Sequence, residues 1–356
     1  MYMKKLLLFF FLFSFSTLTV KASSSNPYSY LIMDIDSGRI IDSKNANESL
    51  LIASTTKIMT CLIVLENANL NDQITVGDEV LSMYGTNIYI KKGEILSIKD
   101  LLYGLMLRSG NDAALTLAVN TLGEERFIEK MNEKAQELGM KSTFFQNPHG
   151  LDDKTKNYST AYDMALLGRY AYQNKTYREI ISTKKYTTKS SLKSYAWYNR
   201  MSLLNQYKNC IGGKNGYTPK AGKSLVSYAS NGDMTLMIVS LKDPDIYGNH
   251  KKIYEKYFST YQNYTIIDAQ NFYLESTFTK GELYLKKSFH YPLLKNEVND
   301  INTWIEFYPT SKNGRAGRII IKLKDKEIGK LDIFTKEKIK KEELSFFQKL
   351  KRLLIR

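Results

Sequence analysis

The sequence predicts an α/β chain of the α+β kind: a sheet with helices packed on it, followed by a small all-β domain. Three observations predict it. Short alternating apolar runs near residue 28 and after residue 223 read as strands, while the stretch between them carries helix-period apolar patterns. Beyond Phe258 the composition turns to Tyr, Phe, Thr and Lys in brief alternating runs. The chain has 356 residues, 43% hydrophobic and 24% charged, with six prolines. That composition is globular, and at ~100–200 residues per domain the length suits two domains.

In chain order, residues 1–22 read as a secretory signal. Lys4 and Lys5 form a basic head, Leu6 to Val20 is apolar apart from a few Ser and Thr, and Val20-Lys21-Ala22 offers the small residues of a cleavage site. The stretch is shorter than the ~20 residues of a spanning helix; an uncleaved N-terminal anchor is the alternative. Either way the folded body is expected to be exported, outside the cytoplasm. Export permits disulfides, yet only Cys61 and Cys210 are present, so a disulfide framework is excluded. Two buried free thiols are expected rather than one bridge.

Residues 28–42 read as two strands joined at Asp36-Ser37-Gly38. The apolar run Ile58 to Ala68 reads as a buried helix. Residues 98–120 are helical in pattern, interrupted at Arg108-Ser109-Gly110-Asn111 by turn and cap formers. Residues 124–138 and 160–174 are further helices. From Lys223, two alternating runs about Asn231-Gly232-Asp233 read as a hairpin. Residues 23–258 are thus expected to form one domain, residues 262–335 a small β-rich one, and residues 336–356 a tail. In that tail Leu344, Phe347, Leu350 and Leu354 recur at three- and four-residue steps, opposite Lys349, Lys351, Arg352 and Arg356. This suits an amphipathic helix lying on an anionic membrane; a helix packed on its own domain is the alternative. The net charge of +15 gathers largely at the two ends. The body keeps only a modest basic excess, which does not point to nucleic acid.

The chemistry-bearing residues narrow the function. His149, His250 and His290 are isolated, with no HExxH and no paired cysteines, so no metal is expected. No P-loop and no GxGxxG follows a strand, and no cofactor is expected. There is no GxSxG elbow either, which leaves a serine activated by something other than histidine. Ser54-Thr55-Thr56-Lys57 supplies one: residues i and i+3 share a helix face, so the Lys57 amine reaches the Ser54 hydroxyl. A lysine with a lowered pKa can serve as general base, and a helix start favours an oxyanion. Ser182-Lys185 and Ser190-Lys193 match the same spacing by chance. Ser-x-Asn likewise occurs at Ser24, Ser43 and Ser311 as well as Ser109, and Lys-Asn-Gly at Lys312 as well as Lys214. Order separates signal from decoy: Ser54-x-x-Lys57 opens an apolar helix, Ser109-Gly110-Asn111 follows at a break between helices, and Lys214-Asn215-Gly216 leads into the closing strands. That is the penicilloyl-serine signature.

With these boxes the chain resembles the low-molecular-weight penicillin-binding proteins, the serine D-alanyl-D-alanine carboxypeptidases. The likeness extends to residues 51–60 (LIASTTKIMT), 107–114 (LRSGNDAA), 147–152 (NPHGLD) and 213–222 (GKNGYTPKAG). It runs from about residue 26 to 258, more weakly into a β-rich C-terminal domain and an amphipathic anchor. The resemblance implies a penicillin-binding/β-lactamase-like transpeptidase fold with a helical subdomain. It implies removal of the terminal D-Ala from peptidoglycan stem pentapeptides, sensitivity to β-lactams, and a peripheral place on the outer face of the cytoplasmic membrane. Ser54 is then the acylated nucleophile, Lys57 the base, Ser109 a proton shuttle, and Asn111 the holder of Lys57 and the substrate amide. Lys214 attracts the terminal carboxylate, with help from Arg200. Gly216 lets the stem peptide lie against the strand edge. The backbone N–H groups of Ser54 and Tyr217 form the oxyanion hole. The family usually has Thr where this chain has Asn215, a longer side chain, so activity or β-lactam affinity is expected to differ. Two other readings stand beside this one. A β-lactamase of the same fold needs a carboxylate for its deacylating water, and no clear Glu-x-x-x-Asn box lies between Asn111 and Lys214. A catalytically inactive wall-binding homologue finds support only in Asn215. His149 is read as shaping a turn, and Cys61 as core.

Overall fold

The structure, a computed structural model, describes residues 27–274, 282–312 and 314–336. The signal segment and, apart from Lys336, the amphipathic tail lie outside these residues. Among the described residues, no helix is long and apolar enough to cross a membrane.

The strands read near residue 28 and after residue 223 join into one antiparallel sheet. Its members are β1 (Ser29–Asp34), β2 (Ile40–Lys44), β3 (Cys210–Thr218), β4 (Gly222–Ser230) and β5 (Thr235–Leu241), in the order β2-β1-β5-β4-β3. The N-terminal hairpin therefore pairs with the closing hairpin, with Ile32 opposite Ile238. The β1–β2 turn is held by Asp34, whose carboxylate accepts from the Ser37 N–H and hydroxyl, and Gly38 supplies the positive φ of 74° that closes it.

Alternation along these strands sorts two cores. Leu31, Met33, Val226, Tyr228, Met237 and Val239 face the helical subdomain. Ile32, Leu225, Ala229, Leu236 and Ile238 face the opposite side. Burial on both faces is why β4 and β5 read as almost continuous apolar runs. The helical side is built from α1 (Lys57–Asn67), α2 (Ile98–Arg108), α3 (Asn111–Thr121), α4 (Glu124–Glu137), α5 (Ala161–Tyr172) and α6 (Lys175–Ser182). The far side is covered by α7 (Ile246–Thr260). All of Lys57 to Val64 is buried, which explains the apolar composition of α1. Helix α2 starts on a capping box, Ser97 with Asp100. Cys61 and Cys210 are both buried free thiols.

From Tyr261 the chain forms strands with a core of their own, which includes Ile266, Leu293, Ile319, Ile321 and Ile333. Tyr261–Ile267 pairs with Phe289–Leu294, and a four-stranded sheet runs Leu283–Leu285, Lys326–Thr335, Arg315–Leu323, Ile301–Lys312. Helix α6 and the hairpin Lys185–Lys189/Ser194–Tyr198 are elements that the sequence patterns did not reveal.

Candidate active site

The site forms where the start of α1, the α2–α3 break and the edge strand β3 meet. Ser54 lies on a 3-10 turn, Ala53–Thr56, immediately before α1, rather than on the first turn of an α-helix as the sequence suggested. Ala53 has a positive φ of 48°, an uncommon conformation for a residue with a Cβ. Two glycines make room for this turn. A Cβ on Gly150 would meet the Ala53 oxygen at 2.0 Å, and one on Gly216 would meet the backbone nitrogens of Ser54 and Thr55 at 2.8 and 2.9 Å. Gly216 thus has a reason inside the fold besides the access for an added strand inferred from the sequence: it lets β3 press against the Ser54 turn. Ser54 is the partly exposed member of that otherwise buried turn.

Lys57 is completely buried and its amine is surrounded by acceptors. Nζ lies 3.1 Å from Ser54 Oγ, 2.8 Å from Asn111 Oδ1 and 2.5 Å from the His149 carbonyl oxygen. Burial, reinforced by the nearby Lys214 charge and opposed by Asp112, holds this amine well below the usual lysine range. In its neutral form the amine has two N–H bonds and one lone pair. Neither the Asn111 nor the His149 carbonyl oxygen can donate, so both consume N–H bonds. The lone pair is left for the one neighbour that can donate, the Ser54 hydroxyl. That arrangement is able to take a proton from the serine.

Ser109 sits in the left-handed conformation, φ 64° and ψ 34°, as the cap of α2. Its Oγ accepts from Lys214 Nζ at 3.0 Å, and the same amine donates to the Asn215 carbonyl at 2.7 Å. Burial first, then the neighbouring Arg200 charge, lowers Lys214 to about 7. Asn111 opens α3, and its Nδ2 donates to the Tyr84 carbonyl at 2.8 Å. Arg200 is exposed and donates to Thr86 Oγ1 at 3.3 Å. Asn215 is half-buried on β3, and Tyr217 is 63% exposed. The structure therefore brings together Ser54, Lys57, Ser109, Asn111, Lys214, Asn215 and Gly216, with Arg200 and Tyr217 at the margin.

Two contributors escaped the sequence reading. His149 contributes its backbone carbonyl to Lys57, while its ring accepts from the Leu151 N–H and is driven down to about 3 by burial and by Lys57. Its ring is thus bonded within its own turn, while its carbonyl touches the Lys57 amine. Asp112 gathers the N–H groups of Ile88, Tyr89, Ile90 and Ala113 and so fixes the strip of chain that carries Tyr84 and Thr86. Its position directly after Ser109-Gly110-Asn111 was the available signal. No group of three or more His, Cys, Asp or Glu able to hold a metal occurs among the described residues.

Comparisons with known proteins bear on the same region. A family model described as D-alanyl-D-alanine carboxypeptidase matches residues 16–245. The chain is 29% identical over 334 residues to the D-alanyl-D-alanine carboxypeptidase DacF of Bacillus subtilis, a match spanning 88% of this chain and 86% of that protein. It is 34% identical over 215 residues to DacB2 of Mycobacterium tuberculosis, also a D-alanyl-D-alanine carboxypeptidase, over 60% of this chain and 74% of that one. Among solved structures, penicillin binding protein 5 from Haemophilus influenzae matches with a TM-score of 0.75 at 25% identity, over 88% of this chain and 98% of that one.

Proposed function

The chain belongs to the D-alanyl-D-alanine carboxypeptidase family, and from that premise we propose that Ser54 is its acylated nucleophile and Lys57 its base. The protein is a serine D-Ala-D-Ala carboxypeptidase with the penicillin-binding fold, a hydrolase of peptidoglycan stem peptides. The observation that supports the residue assignment is the set of contacts of Lys57 Nζ, two to carbonyl oxygens and one to Ser54 Oγ, which leaves the amine's lone pair for the serine.

The reaction follows from that geometry. The Ser54 proton passes to Lys57 as Oγ attacks the penultimate D-Ala carbonyl carbon. The negative oxygen that forms is met by the N–H groups of Ser54 and Tyr217, donors fixed before the reaction begins. The terminal carboxylate lies toward Lys214, Asn215 and Arg200, three sources of positive charge or N–H bonds. When the C–N bond breaks, Ser109 hands a proton to the departing D-Ala nitrogen. Lys214, near 7, can replenish it at neutral pH. Water then attacks the ester: one of its protons passes through Ser109 back to Lys214, Lys57 returns its proton to Ser54 Oγ, and the shortened peptide leaves as its carboxylic acid. A β-lactam enters the same path and stops at the acyl stage.

The test is covalent labelling. Fluorescent penicillin should mark the wild type at Ser54, a D-Ala-D-Ala peptide should lose free D-Ala, and Ser54→Ala should do neither while staying folded. The Ser54 hydroxyl caps neither the 3-10 turn nor α1, and its contact is with Lys57, so the fold does not depend on it. An adduct persisting in Ser54→Ala would move the nucleophile elsewhere. Rapid turnover of the drug would instead identify a β-lactamase.

Around this core we propose residues 1–22 as the export signal, 23–258 as the catalytic domain, 262–335 as the β-rich domain and 336–356 as the membrane tail. The spacing of Leu344, Phe347, Leu350 and Leu354 supports the last assignment. Deleting residues 342–356 should release the mature protein from anionic liposomes without lowering its activity on a soluble peptide. Equal co-sedimentation of both forms would defeat the assignment.

A further inference from the structure

We propose, resting on the reading above, that Asp153 and Lys220 form a specificity pair at the mouth of the cleft. Together they read a side chain that ends in an ammonium with a carboxylate beside it, on the residue preceding the two D-alanines.

The direction of the bound peptide places that residue. β3 is an edge strand, so one side of its backbone is open to an added chain. With the terminal carboxylate at Lys214 and the attacked carbonyl between Ser54 and Tyr217, the peptide runs antiparallel to β3. Its preceding residue then lies past Tyr217, toward Thr218 and Lys220, at ~3.4 Å per residue. There the rim is built from three segments. Thr218 Oγ1 donates to Asp152 Oδ2 at 2.5 Å and Lys220 Nζ to the Asp152 carbonyl at 3.3 Å, which brings the 150–157 loop against the end of β3. The next residue, Asp153, is exposed and accepts from the Tyr84 hydroxyl. The Tyr84 carbonyl in turn accepts from Asn111. A single tyrosine therefore spans from a catalytic-site amide to the Asp153 carboxylate, so that carboxylate stands at the cleft and not on a remote surface.

The chemistry of the rim is that of a reader. Asp153, Lys220 and Tyr217 are all exposed. The Tyr84 hydroxyl foremost, with a smaller contribution from Lys220, holds the Asp153 carboxyl below the usual range, so it is an anion at neutral pH with a cation close by. The loop is fastened chiefly by the short Thr218–Asp152 bond; the Lys220 amine adds a longer one at 3.3 Å that leaves N–H bonds to spare, and the Asp153 carboxylate takes no part in either. An anion and a cation side by side complement a zwitterionic end group: Asp153 takes the ammonium and Lys220 the carboxylate. A lysine-type side chain engages only the first, and a capped or short side chain neither.

The experiment compares kcat/KM for four synthetic peptides that end in D-Ala-D-Ala. They differ in the preceding residue: 2,6-diaminopimelate with its far end free, lysine, Nε-acetyl-lysine, or alanine. The wild type should prefer diaminopimelate to lysine, and lysine to acetyl-lysine and alanine, which should be alike, each charged contact giving about two- to fivefold because the groups are exposed. The preference should shrink in roughly 1 M salt. Asp153→Asn should abolish the ratio of lysine to acetyl-lysine, and Lys220→Gln the ratio of diaminopimelate to lysine. Tyr84→Phe keeps the carboxylate and should keep the lysine ratio. Equal kcat/KM for all four peptides in the wild type, ratios surviving in both charge variants, or the lysine ratio lost in Tyr84→Phe would each overturn the pair. Failure of the carboxypeptidase reading looks different: no D-Ala from any peptide and no penicillin label on Ser54.

Discussion

With Ser54 proposed as nucleophile and Lys57 as its base, Lys57 must be neutral at the moment of attack, and its surroundings make that state accessible. An ammonium enclosed without a carboxylate in contact loses its hydration, and the Lys214 charge adds repulsion. Asp112 opposes both, but its carboxylate is spent on backbone N–H groups rather than on the amine. The pH dependence has a definite shape. Acylation by a β-lactam should fall on acidification, as protons fill the lone pair facing Ser54, and fall again on the alkaline side, as Lys214, lowered to about 7, loses the proton it supplies to Ser109. Lys57→Ala should remove nearly all of it. Stopped-flow acylation rates across about pH 9 to about pH 5 decide the matter; a flat profile would exclude Lys57 as the base. This part of the site was legible in the sequence because its logic is local: Ser54 and Lys57 lie three residues apart. What holds the amine was not legible. The His149 contact is made through a backbone carbonyl, which no side-chain identity announces. The Tyr84 contact to Asn111 is likewise main-chain, at the far end of a separate loop.

At the scale of elements, the site depends on how closely β3 approaches the turn before α1. A methyl group at Gly216 would lie 2.8 and 2.9 Å from two backbone nitrogens, which cannot swing aside as a flexible side chain can. Gly216→Ala should therefore push the strand from the turn, at ~1–3 kcal/mol of overpacking. It should also widen the gap between the Ser54 and Tyr217 N–H groups. The expected result is a melting temperature lower by several degrees and acylation slowed by roughly a hundredfold, the scale of one lost oxyanion donor. A variant acylated within about twofold of wild type would show that the gap tolerates the shift. The elements themselves differed in how plainly they were written. β1, β2, β4 and β5 carry turn formers between apolar runs, and α1 is a long buried run, so periodicity suffices. The hairpin Lys185–Lys189/Ser194–Tyr198 was missed because its outer face is polar and its inner face rests on only a few aromatics, Tyr186, Tyr195 and Trp197. Its turn also explains the decoy at Ser190-Lys193. Ser190 Oγ accepts from the N–H groups of Leu192 and Lys193 and donates to Glu94, so its hydroxyl is committed to the turn.

Across the whole molecule, the β-rich C-terminal strands are fastened to the turns at one end of the five-stranded sheet. In the β1–β2 turn Arg39 donates to the Pro292 carbonyl at 2.7 Å and pairs with Glu297 at 2.6 Å. Its guanidinium also lies 5.1 Å from the ring centre of Tyr261 and 5.3 Å from that of Tyr291. In the β4–β5 turn the Asp233 carbonyl accepts from the Asn263 amide. Nothing in the sequence marks Arg39 for this task, since its hydrogen-bond partners lie more than 200 residues away. The side chains of the Arg39–Glu297 pair are only 12% and 18% exposed, so the pair escapes most of the screening that makes surface bridges weak. Removing one partner leaves a partly buried charge uncompensated. Arg39→Ala should therefore loosen the junction while leaving each core intact. Calorimetry should show the C-terminal strands melting in a transition of their own, below that of the catalytic part, where the wild type melts with the two parts coupled. Acylation of Ser54 should persist through the first transition, because Ser54, Lys57 and their partners belong wholly to the sheet and its helices. A single transition shifted to lower temperature, with acylation lost along its course, would mean that the two cores fold as one unit and that Arg39 is one contact among many.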